Sequence, residues 1–189
     1  MHWRLATLGL LLASIACAED DMRVLTIDSD ASRVDFDVSV LWMVKRRGQF
    51  HRLEGQALID GDVVSIDVRL PSESATMKSR DHEETLKSPD YFDVEKHPWI
   101  RFRSKPFAID GSTTRVRGWL SLRGVERVVE FDILASPCLR KRPVRKCAIA
   151  VSGSVRRSEF GMTANRRTLA DRVGLSISAV VNEMPPAPP

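Results

Sequence analysis

Past its first two dozen residues the chain is apolar with a period of two rather than 3.6. Val34, Phe36, Val38, Val40 and Trp42 alternate with Asp35, Asp37, Ser39 and Leu41. Val64, Ile66, Val68 and Leu70 repeat the pattern, as do Val116, Gly118, Leu120 and Leu122, then Val129, Phe131, Ile133 and Ala135. Two more runs follow at Cys147, Ile149, Val151, Gly153 and Val155, and at Val173, Leu175, Ile177, Ala179 and Val181. This spacing puts one face of each segment in a core and the other in water, which is a strand's signature. Shorter strands are expected at 99–104 and across 48–60. In the latter, Phe50 has opposite parity to Leu53, Ala57 and Ile59, so a bulge is expected near Arg52 to Glu54. Turns such as Asp60-Gly61-Asp62 and Asp110-Gly111-Ser112 join the runs.

About eight antiparallel strands with one apolar face cannot lie flat without leaving two aggregation-prone edges, and closure into a barrel removes both. A barrel of that size either fills with side chains or encloses room for one small ligand. The inward set is Phe36, Val38, Trp42, Phe50, Ile66, Val68, Phe102, Leu120, Phe131, Ile149 and Ile177. Taken singly, each fills a solid core as readily as it lines a tunnel, and alternation leaves both outcomes open.

One interval departs from the pattern. Residues 72–98 are long and polar, and Ser79 or Asp81 is placed to cap a short helix through His82 to Lys87 that Pro89 stops. A connection of this kind covers something, such as a barrel end. Within it, Arg80, Asp81 and His82 either orient a ligand headgroup at the barrel mouth or form a helix cap with an ion pair, the commoner role. Tyr91 and Phe92 gate the pocket or brace the connection.

With 189 residues, 43% hydrophobic and 29% charged, the chain is one folded unit. A net charge of +4 and a pI near 9.2 point to mild attraction for anionic surfaces and away from a dedicated nucleic-acid binder. Residues 1–18 read as an export leader: Arg4, an apolar run from Leu5 to Ile15, and Ala16-Cys17-Ala18 ahead of a cleavage point before Glu19. Ser14 stands where a lipoprotein signal has an aliphatic residue, so Cys17 is expected to leave with the leader. The domain then spans 19–184, before a proline-rich tail at 185–189. Cys138 and Cys147 remain, expected as a structural disulfide across a basic turn in a periplasmic or secreted protein.

Three histidines follow the leader, His51, His82 and His97, far apart and without metal-ligand spacing. Neither a G-x-S-x-G elbow nor a phosphate-cradling loop is present. No catalytic residue and no metal site is assigned. Basic clusters at Lys45 to Arg47, Arg140 to Arg142, Arg145-Lys146, Arg156-Arg157 and Arg166-Arg167 fall at turns or strand ends, where they are either solvated or arranged to meet anionic lipid headgroups.

RDHEETLKSPDYFDVEKHPWIRFRS (80–104), GQFHRLEGQALID (48–60), VRGWLSLRGVERVVEF (116–131) and SEFGM (158–162) occur in the order found in the YceI-like family of exported proteins, which this chain resembles from Ile27 to Ala179. The resemblance implies an eight-stranded antiparallel lipocalin-like barrel holding a long isoprenoid chain, such as an isoprenoid quinone, or another extended amphiphile. It departs where the family often has a His-Ser pair and a further histidine on the first strand; Ala31-Ser32 and Leu41-Trp42-Met43 stand there instead. The expected role is an exported carrier or sequestering protein without bond-making chemistry. Its expected partners are a lipid-like ligand, a membrane surface in transient contact and, with an exposed edge, a second copy. The rival readings are a solid barrel that acts through its surface in the envelope, and a lipid-ester hydrolase.

Overall fold

The structure is a computed structural model that describes residues 22–109, 113–134 and 136–185. The expected leader, the turn Asp110-Gly111-Ser112 and residues 186–189 of the tail lie outside the described residues, as does the Arg140 side chain.

Among the described residues the strands are β1 (Met22–Ile27), β2 (Arg33–Val40), β3 (Val44–Phe50), β4 (Glu54–Asp60), β5 (Val63–Pro71), β6 (Ala75–Met77), β7 (Trp99–Ser104), β8 (Phe107–Ala108), β9 (Thr113–Leu122), β10 (Val125–Leu134), β11 (Cys147–Arg156) and β12 (Leu169–Glu183). One helix, α1 (Arg80–Lys87), interrupts them. Every pairing is antiparallel, and the ring β1-β4-β5-β7-β9-β10-β11-β12 closes through β1 against β12. The eight-stranded barrel expected from the alternation is what the chain forms.

Four wall positions are built from two pieces each, β1 with β2, β3 with β4, β5 with β6 and β7 with β8. The 15 residues of β12 are long enough to serve two partners on one edge, β2 along 169–178 and β1 along 181–183. On the next position β3 pairs with β2 and β6, and β4 pairs with β1 and β5. Between β3 and β4 the expected bulge is a full break over residues 51–53. Phe50 and Leu53 are both buried, so the chain must rotate between them, which a single extra residue does not allow. β1 escaped the alternation because only Leu25 is wholly buried in it, while its two edges are both paired.

The first long strand was expected to run to Trp42, but it ends at Val40. Leu41 donates its N–H to Thr168 C=O (2.8 Å), and Met43 donates to Val40 C=O (3.2 Å), closing a tight turn. Leu41 and Trp42 take φ of 47° and 64° there, a left-handed conformation that costs an L residue roughly 1–2 kcal/mol. The reversal comes before Trp42 can join the wall. Its side chain is 86% exposed, so it is not an inward residue.

α1 begins at Arg80, with Ser79, one of the two expected caps, at the N-cap position but making no capping side-chain bond. Its exposed face carries the ion pairs Arg80–Glu84 (3.3 Å) and Lys87–Glu83 (2.8 Å). The outer wall accommodates the chain's charge as cross-strand pairs, among them Arg69–Glu54, Arg101–Asp67, Arg103–Glu126, Arg115–Asp132 and Arg117–Glu130. Each contributes at most about 1 kcal/mol at such exposure. The inner face is left to apolar side chains.

Candidate functional site: an apolar channel through the barrel

The inner side chains do not meet in the middle. They enclose a cavity of about 260 Å³ whose wall is apolar throughout, from Val38, Leu169 and Val173 at one end to Ile59, Ile109 and Leu139 at the other. A single water needs about 10–15 Å³, so the space is many times larger than an ordinary packing defect.

Its width has a visible cause. Phe36 lies directly opposite Gly48, and Phe131 opposite Gly153. A Cβ on Gly48 would meet Phe36 Cζ at 2.1 Å, and one on Gly153 would meet Phe131 Cδ1 at 2.3 Å. Gly118 is likewise overlaid by the Phe102 ring, at 2.6 Å. Each ring therefore fills the place of a missing side chain beside the wall instead of projecting into the lumen. Phe102 and Phe131 then meet edge to face at 5.2 Å, a favourable geometry for an aromatic pair.

One end is capped by the connection around α1. Leu86 faces inward from the helix, and Tyr91 and Phe92 follow it, both buried. The Phe92 ring sits 5.6 Å from Phe50 and 6.5 Å from Phe36. Asn165 donates to the Tyr91 hydroxyl (2.9 Å), which ties the connection to the loop before β12. Met162 and the stem of Arg157 complete the cap. The guanidinium of Arg157 is buried and donates to four carbonyls, those of Met162 (2.8 Å), Ala164 (2.7 Å), Leu169 (3.1 Å) and Ala170 (3.0 Å). Those bonds satisfy a buried charge and fix the loop's course. At the far end the Cys138–Cys147 disulfide closes the basic turn against a second apolar cluster of Leu25, Val144 and Val181.

Of the expected inward residues, Phe36, Val38, Phe50, Ile66, Val68, Phe102, Leu120, Phe131, Ile149 and Ile177 face the cavity, and Trp42 does not. Tyr91 and Phe92 also face it, from the cap. Arg80, Asp81 and His82 are exposed on α1 and do not reach it. Leu25 and Ile27 were missed because β1 has no alternation to read, and Arg157 because a basic pair at a strand end reads as solvated. Its position beside the buried Phe160 and Met162 was the available signal. Among the described residues no three His, Cys, Asp or Glu side chains gather in one place. His51 bonds Thr76 Oγ1 (2.8 Å), far from His82 and His97 in the chain.

The sequence matches the family model of the YceI-like domain over residues 25–181. The chain belongs to that family. Solved structures agree with the YceI-like fold at low identity. Burkholderia cenocepacia BcnA superposes with a TM-score of 0.71 at 18% identity, covering 82% of this chain and 98% of that one. A polyisoprenoid binding domain from Saccharophagus degradans, implicated in plant cell wall breakdown, gives 0.65 at 13% identity, over 85% and 98%. The Campylobacter jejuni YCEI protein gives 0.63 at 22% identity, over 73% and 85%. No curated protein gives a significant sequence match.

Proposed function

We propose that this YceI-like barrel is an exported carrier or sequestering protein for a long apolar ligand of the polyisoprenoid class. The observation that carries the proposal is the continuous apolar cavity along the barrel axis. Membership of the family and likeness to a polyisoprenoid binding domain support the ligand class. A disulfide and a leader-like N-terminal sequence support an oxidising, exported setting.

Binding transfers ligand surface from water or bilayer into the wall, at about 25 cal/mol per Å² of apolar area before ordering costs are subtracted. No bond is made or broken. The rings of Phe36, Phe102 and Phe131 bound the lumen, and the Tyr91-Phe92 cap excludes water from the end it covers. Release requires contact with another apolar phase, since ligand left in water would forfeit the same free energy.

Native mass spectrometry of protein purified from its host without lipid stripping should show an isoprenoid-class adduct, and the emptied protein should take up a prenylquinone. A homogeneous ligand-free mass together with no prenylquinone uptake overturns the proposal. Turnover across an ester panel, lost on replacing His51, His82 or His97 by Ala, would replace it with a hydrolase.

A further inference from the structure

The tip of the β2–β3 hairpin takes no part in the barrel. Leu41, Trp42, Met43 and Val44 are consecutive and exposed, Trp42 and Met43 each at 86%. Single exposed apolar residues are ordinary, whereas a contiguous cluster marks a contact surface. Leu41 and Trp42 also hold positive φ, which Gly or Asn meets without strain. Strained residues persist where function uses them, and no burial within the chain offsets the strain here.

The tip is framed by positive charge. Lys45, Arg46 and Arg47 follow it directly, and the Leu41 bond to Thr168 holds it beside Arg166 and Arg167; all five basic side chains are exposed. Asp37 pairs with Lys45 (3.2 Å) and Asp171 accepts from Ser158 (2.8 Å), while Arg46, Arg47, Arg166 and Arg167 have no acidic partner among the described residues. Residues 44–47 pair with β2 alone, because β6 joins β3 only from Gly48 onward. Basic residues do protect such an open edge from pairing with another chain. Edge protection gives no reason for Leu-Trp-Met at its end.

We propose that this tip docks on an anionic bilayer, with Trp42 and Met43 entering the interface and the four arginines Arg46, Arg47, Arg166 and Arg167 lying over lipid phosphates. Tryptophan favours that depth, and each basic residue near an anionic surface strengthens partition by about fivefold. Docking brings the Leu86, Tyr91 and Phe92 end of the cavity toward the lipid. Its purpose rests on the carrier reading, but its measurement does not, because an empty barrel presents the same tip.

The test is cosedimentation with vesicles of equal parts phosphatidylglycerol and phosphatidylcholine against vesicles of phosphatidylcholine alone, at low and high salt. The wild-type protein should pellet with the anionic vesicles, and salt should release it. Trp42→Ser with Met43→Ser should weaken partition by about tenfold or more through lost apolar contact, as should Arg46→Glu with Arg47→Glu. Both pairs are exposed, so their thermal melts should match wild type. As a second readout, a Trp3→Phe, Trp99→Phe, Trp119→Phe variant, with Trp42 its one remaining tryptophan, should shift its emission to the blue with anionic vesicles only. Equal binding to both vesicle types, no binding, or undiminished binding by the serine pair overturns the proposal. A concentration-dependent dimer that the serine pair dissolves, without vesicle binding, assigns the tip to a second copy instead.

Discussion

Gly48 is held to its identity by one neighbour. The atoms in the way of a Cβ there all belong to the Phe36 ring, so Gly48→Ala must push that ring toward the lumen. We expect a loss of about 1–3 kcal/mol from overpacking, together with weaker prenylquinone uptake; melting and a quinone titration check both, and unchanged uptake would show that the ring is free to move. Glu183 is a second single-residue case. Arg23 holds its carboxylate with two hydrogen bonds (2.7 and 3.0 Å), burial opposes this, and the Val144 N–H adds a third bond (2.7 Å). The net effect lowers its pKa from an ordinary 4.5 to about 2. A depressed carboxylate stabilises the fold above its unfolded value and loses that contribution as the pH falls through the folded one. Glu183→Gln should therefore melt earlier than wild type near neutrality, with the gap closing between about pH 4.5 and 2. A gap that stays constant over that range would refute the assignment.

At the level of elements, period-two alternation made the long strands legible, because β2, β5, β9, β10, β11 and β12 each bury one face and wet the other. It failed where that condition fails. β1 is paired on both edges but buries only Leu25 fully, and the β3–β4 corner turns over three residues whose ends both point inward. Trp42 was misplaced because residue type alone does not reveal a reversal that sets bulky residues at positive φ. The cysteine pair was legible because Cys17 is expected to leave with the leader, and the fold brings Cys138 and Cys147 together around their turn. Closing so short a loop contributes about 2–3 kcal/mol. Reductant, or Cys138→Ser with Cys147→Ser, should lower the melting temperature by roughly 4–12 °C in a domain of this size. Equal melting with and without reductant would assign the pair no structural weight.

For the whole molecule, the cavity sets a length scale that residue identities could not give, since a ring of apolar side chains reads alike whether it closes or stands open. A lumen of about 260 Å³ is finite, so prenyl ligands should gain affinity with each unit until it is filled, and little beyond. A series of prenylquinones of increasing length, titrated against the emptied protein, reads this directly; affinity that rises without a break, or not at all, would exclude an enclosed site.

The division of one wall position between β1 and β2 has a consequence of its own. A barrel whose first stave is a detached six-residue piece has two seams there that answer to different partners. Clipping the chain in the linker ahead of Ser32 would leave β1 held in the lower slot, beside the disulfide, by its pairing to β4 and β12 alone, while β2 kept the upper one laced to β12. A labelled peptide with the sequence of residues 22–27 would then compete with the severed strand for a berth of matching register, so the molecule carries in its own architecture the makings of a split reporter for its interior.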